Sequence, residues 1–214
     1  PAAAGMYIVG GESLLIESMA VLPFGMLING LFLGVWVFLP PYLHASKSPL
    51  VLTALGALLV WVICGSVLLM CVSFAFDSNV SAQTVAYAGL AVLIVFAVAM
   101  NWKPKPSPKG NHSVSMQVLI LRGSAAALAI GIAVWLSSQG QPLVAGLAAV
   151  FPAIFLTSTV ALWVAQGPTV PQGAAGPMTL GGVSVAIYAL AAMNFLPTYG
   201  LYLGSLLAWL LAVV

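Results

Sequence analysis

The chain has 214 residues, 63% of them hydrophobic and only 4% charged, with a formal net charge of +2 and a mean hydropathy of +1.17. A soluble domain carries about 25% charged residues to cover its surface, so this composition excludes a water-soluble fold and specifies an integral membrane protein. The small positive charge gives no basis for nucleic-acid binding, and the length suits one compact membrane bundle.

Spans of about 20 apolar residues are long enough to cross a bilayer as helices. Seven such stretches are expected in chain order. The first runs from Ser18 to Leu39 and stops at Pro40-Pro41. Ahead of it, residues 1–17 are apolar but interrupted by Gly5, Gly10 and Gly11, with no basic segment of the kind that opens a cleavable signal peptide. The second stretch, Leu50 to Phe74, ends before the polar Asp77-Ser78-Asn79. The third covers Ala82 to Trp102 and is closed by Lys103-Pro104-Lys105-Pro106. The fourth takes Val114 to Leu136, followed by a hinge at Ser137 to Gln141, and the fifth takes Pro142 to Val164. A Gly- and Pro-rich loop, Gln166 to Pro177, leads to the sixth, Met178 to Phe195. Pro197 then separates it from the seventh, Tyr199 to Val214. The runs are continuous and lack period-two alternation, which predicts an all-α polytopic bundle rather than a membrane barrel.

Residues 49–102 align without a gap on residues 142–195, with identities at 12 of the 54 positions. Pro49-Leu50-Val51 matches Pro142-Leu143-Val144, and Ala99-Met100-Asn101-Trp102 matches Ala192-Met193-Asn194-Phe195. Three spans per copy would turn the second copy upside down relative to the first, the inverted-repeat plan of many secondary transporters. The expected organisation is a 3+3 inverted repeat plus one C-terminal helix: residues 1–110, then residues 111–214, in one membrane domain. With seven spans, Lys47, Lys103, Lys105 and Lys109 share one face, and Glu12, Glu17 and Asp77 share the other. The positive-inside rule then places the lysine face and the C-terminus in the cytoplasm and the N-terminus outside. Asn79-Val80-Ser81 is a glycosylation sequon on the outer face and Asn111-His112-Ser113 one on the inner face, and triplets of this kind are frequent by chance.

Few side chains can carry chemistry. Arg122 is the single charge well inside an expected span, and an intramembrane ionisable residue marks a functional candidate. The competing reading is that its long side chain snorkels to the headgroups. Leu27-Ile28-Asn29-Gly30 aligns with Ile120-Leu121-Arg122-Gly123, which pairs Asn29 with Arg122, although Val35-Trp36 and Val134-Trp135 set a competing register. Asn101 and Asn194 end matching motifs and are either path residues or helix caps. Thr157-Ser158-Thr159 is the most polar run of any span, with Cys64-Gly65-Ser66 as its small, polar counterpart in the second span. It follows Pro152, expected to kink its helix. Its hydroxyls line a substrate path in one reading and bond to their own i−4 carbonyls in the other. Gly200-x-x-x-Gly204 is a helix-packing motif. Cys64 and Cys71 have no His, Asp or Glu at their depth, and His44 and His112 fall in loops, so neither a metal site nor a cofactor is expected.

Trp135-Leu136-Ser137, Ala145-Gly146-Leu147 and Phe151-Pro152 give residues 118–214 a resemblance to the small GlpM-like membrane proteins. That resemblance implies a fold and membrane residence, and no activity. The first half departs from it, with Leu58-Leu59 in place of Phe151-Pro152. Three functions are compatible with these features. The first is a transporter or channel for a small uncharged or anionic solute, not driven by ATP. The second is a non-catalytic subunit within a larger membrane assembly or homo-oligomer. The third, an intramembrane enzyme, is disfavoured because no nucleophile–base or metal constellation can be assembled. The bilayer is the one partner common to all three.

Overall fold

The computed structural model describes residues 2–43, 45–103, 115–139, 148 and 150–213, and its regular elements are all helical. The helices are α1 (Ala2–Phe38), α2 (Pro49–Asp77), α3 (Ala82–Asn101), α4 (Met116–Ser138), α5 (Ala153–Gln166) and α6 (Thr169–Val213). A 3-10 turn at Pro40–Leu43 follows α1. In α4 the side chains of several positions, Arg122 among them, lie outside the description, as do His44 and the 104–114 segment with Lys105, Lys109, Asn111 and His112.

Four helices among the described residues are long and apolar enough to cross a membrane, α1, α2, α3 and α6, against the seven spans expected from hydropathy. The expected fifth span is cut short: α5 starts only at Ala153 and has 14 residues, a rise of about 21 Å against a hydrocarbon core of about 30 Å. The sixth and seventh stretches run on as one element, α6, broken at Gly200 (φ 76°, ψ 177°) rather than at Pro197. Likewise α1 begins at Ala2, not Ser18, and breaks at Gly11 (φ 72°, ψ −168°). Both glycines occupy a backbone region open essentially to glycine alone, so the helix breaks at each of them. At Gly200 the break is a tight reversal: a Cβ at Gly204 would stand 2.5 Å from the Phe195 carbonyl oxygen, so the Leu201–Val213 segment lies against the helix that precedes it. That segment is too short to cross on its own.

Helix α1 is the centre of the bundle. From Leu15 to Val37 it is buried on nearly every side, as expected of a helix that is apolar all round. The other helices pack on it with one face each. Thr53, Ala57, Trp61, Gly65 and Val72 form the buried stripe of α2, and Val85, Ala86, Gly89, Leu93 and Ala97 that of α3. Their outer faces, including Leu55, Leu59, Ile63, Met70 and Phe74, are exposed and apolar, suited to lipid chains. Since lipid is as apolar as leucine, close packing rather than water exclusion must hold such helices together. Small residues supply it: Phe24 of α1 lies over Gly89, and Phe96 of α3 lies over Gly30.

These contacts fix the helix directions. Phe24–Gly89 and Gly30–Phe96 make α3 parallel to α1. Asn29–Trp61 and Leu39–Gly56 make α2 antiparallel to it, and Gly30–Thr179 and Met26–Gly182 do the same for α6. Lys47 and Lys103 therefore sit at one end of the bundle, while Glu12, Glu17 and Asp77 sit towards the other. At the acidic end Asn79 adopts φ 60° to finish α2, and the Ser81 hydroxyl accepts the Thr84 N–H to start α3. The sequon residues Asn79 and Ser81 thus build the turn itself.

Candidate functional site

The distinctive local feature is where α5 starts. Val150, just ahead of it, packs against Gly25, and the Asn29 side-chain amide donates to the Val150 carbonyl at 2.8 Å. Gly25 and Asn29 lie in the middle of the Glu12–Phe38 segment of α1, so α5 starts inside the bundle instead of at its surface. From there it runs parallel to α1 as far as Trp163, which meets Trp36 edge-to-face at 5.9 Å. Gly167 (φ 85°) ends it. Pro152 is the N-terminal cap residue of α5 and not a kink within a span. A residue without an N–H is well placed there, because the first amides of a helix have no intrahelical acceptor.

Asn29 is 3% exposed and engaged at both ends of its amide: as its nitrogen donates to Val150, its Oδ1 accepts the Trp61 indole N–H at 2.9 Å. The Trp61 ring in turn stands edge-on to Phe151 at 5.3 Å. One asparagine therefore ties α1, α2 and the entry to α5 together. The apolar surroundings sharpen the requirement, since an unpaired amide buried there costs about 1–3 kcal/mol.

The remaining candidate residues divide. The hydroxyls of Thr157, Ser158 and Thr159 donate to the carbonyls of Ala153, Ile154 and Phe155, at 2.8, 2.5 and 2.8 Å. Their donors are thus spent on their own helix, the commoner fate of such residues. Asn101 donates to Ala97 and, across to α6, to the Gly176 carbonyl at 3.0 Å. Asn194, its sequence counterpart, is exposed and donates only to Leu190 in its own helix. The two asparagines do not come together. Cys64 and Cys71 are free thiols, and no group of metal-binding side chains occurs among the described residues. Arg122 belongs to α4, which packs on both α1 and α5; its side chain lies outside the description.

Sequence reasoning missed two polar atoms on the α1–α5 seam and at its end. The Trp36 indole nitrogen and the Gln166 side-chain oxygen are buried and have no hydrogen-bond partner among the described residues. Trp163 and Gln166 are three apart, on one face of α5. No hydropathy pattern marks either residue, because a tryptophan inside a span reads as apolar whether or not its N–H is paired.

Comparison with known protein families, with curated proteins and with solved structures returns no match for this chain.

Proposed function

We propose that this chain is a membrane transporter or channel for a small uncharged or anionic solute, moved without ATP along the seam between α1 and α5. The observation that carries the reading is the half-length helix starting inside the bundle. Broken helices whose positive N-terminal ends lie at mid-depth are a recurring way to build a solute site in a membrane. The seam adds a donor, Trp36 Nε1, and on the same face of α5 as the Trp163 ring an acceptor, Gln166 Oε1, both without a partner among the described residues. A neutral solute with one acceptor and one donor would satisfy both, and buried polar groups ordinarily have partners. Helix directions support the inverted repeat as part of this reading, since α5 and α6 run opposite to α2 and α3, whose sequences they match. Arg122 is assigned to draw an anion into the path, the lysine end to the cytoplasm and the N-terminus to the outside. The GlpM-like resemblance of residues 118–214 adds membrane residence and no substrate.

Proteoliposomes subjected to gradients of glycerol, urea, formate and nitrate provide the test, with light scattering as the readout. At least one solute should cross several-fold faster than in protein-free vesicles. Trp36→Phe keeps an aromatic ring at this position but removes the N–H and shrinks a fully buried side chain, so it should slow that flux while lowering the thermal transition without unfolding the protein. Arg122→Lys should depress anion flux selectively. If none of the four solutes crosses faster through well-folded protein, the transport reading falls. The non-catalytic subunit reading then takes its place, supported by an interior in which Asn29, Trp61 and Asn101 all serve to join helices.

A further inference from the structure

Where α2 and α3 diverge over α1, they leave an apolar groove of about 580 Å³ at the lysine end. Leu31, Gly34 and Val35 form its floor, with Leu59 of α2 and Met100 of α3 among its walls. A second cavity of about 430 Å³ adjoins it, sharing Phe38, Phe96 and Met100, and it opens between Trp102, Lys103 and Gln172. Both volumes fall within the ~300–1,000 Å³ of small-molecule sites. One is almost purely apolar, and the other is rimmed by a cation, an amide and an interfacial tryptophan.

We infer that this double cavity is a binding site for an anionic phospholipid, with acyl chain along Gly34 and headgroup at Lys103. Charge supports an anion: Lys47 and Lys103 occupy this end, Lys105 and Lys109 follow closely in sequence, and all three acids of the chain lie towards the opposite end. Basic pockets between membrane helices select anionic headgroups in this way. Continuity supports an amphiphile over a partner helix, since a helix laid in the groove would leave the cavity at Lys103 unused. Gly34 shapes the slot. It is buried in the centre of the floor, yet among the described residues a Cβ built there meets nothing within 4 Å. The space above it belongs to whatever fills the groove. This site is separate from the α1–α5 seam and does not depend on the transport reading.

Native mass spectrometry of the purified full-length chain, titrated with phosphatidylglycerol or phosphatidylcholine, tests the assignment. Phosphatidylglycerol should bind in preference, one molecule per chain. Lys103→Gln should narrow that preference about fivefold, equivalent to the ~1 kcal/mol of one basic residue at an anionic surface. Gly34→Leu should abolish tight binding of both lipids by filling the slot, and Gly34→Ala, with a thermal transition close to the native one, should weaken it only slightly. Equal binding of the two lipids, or binding unchanged by Lys103→Gln and Gly34→Leu, would reduce the contact to ordinary annular lipid and overturn the proposal. A dimer that Gly34→Leu dissociates would give the groove to a second copy and overturn it equally.

Discussion

Asn29 is the residue on which most of the bundle's polar order converges, because its amide is both donor and acceptor and two helices use the two ends. Replacing it with Ala strands the Trp61 indole N–H and the Val150 carbonyl. A loss of about 1–3 kcal/mol is expected, read as a lowered thermal transition in detergent. Trp61→Phe should cost less, since the ring contact with Phe151 survives. Glycines give a sharper contrast. At Gly204 a Cβ would meet the backbone of Phe195 and Leu196, whereas at Gly34 it meets none of the described residues. Gly204→Ala should therefore destabilise by about 1–3 kcal/mol through overpacking, and Gly34→Ala should be neutral or mildly stabilising through helix propensity. The sequence marked Gly204 as a packing residue, but Gly34 looks identical on paper. Which of two glycines in apolar helices faces a neighbour depends on a contact made across the bundle.

At the scale of elements, three glycines with positive φ end or break helices: Gly167 closes α5 where a Gly- and Pro-rich stretch is expected to begin, Gly11 breaks α1 ahead of the expected start at Ser18, and Gly200, not Pro197, breaks α6. Each takes ψ close to 180°, a conformation that costs other residues about 1–3 kcal/mol. Gly200→Ala should accordingly loosen the Leu201–Val213 segment, and faster backbone amide exchange confined to that segment would register it. An equally protected segment in the variant would mean that packing at Gly204, and not the reversal, holds it in place. The prolines also behave differently from expectation. Pro152 caps α5, where a missing N–H takes no bond from the helix, whereas Pro197 lies inside α6 and leaves the Met193 carbonyl without its helical donor, yet the element continues to Gly200 before it breaks.

Across the whole molecule, the separation of charge is the feature that a membrane reads most directly. With Lys47 replaced by Cys in a chain otherwise free of cysteine, and Ser78→Cys in parallel, an impermeant maleimide applied to intact cells should label only one of the two. Labelling of the Ser78 position from outside is the expected sense, as the positive-inside rule requires; labelling of both from one side would contradict the helix directions described above. Composition determined the class of this protein by itself, since so few charges cannot clothe a surface in water. Hydropathy likewise located α2 and α3 to within a few residues, because a helix that crosses lipid must be apolar along its whole length whatever it packs against. Only the tertiary structure decided that α1 is the central helix, that α5 starts beside Asn29 in mid-bundle, and that the last segment folds back at Gly200. Those outcomes rest on one asparagine meeting a carbonyl 121 positions away, and on which glycine meets backbone. In so uniformly apolar a chain, burial against protein and burial against lipid leave the same mark on the sequence.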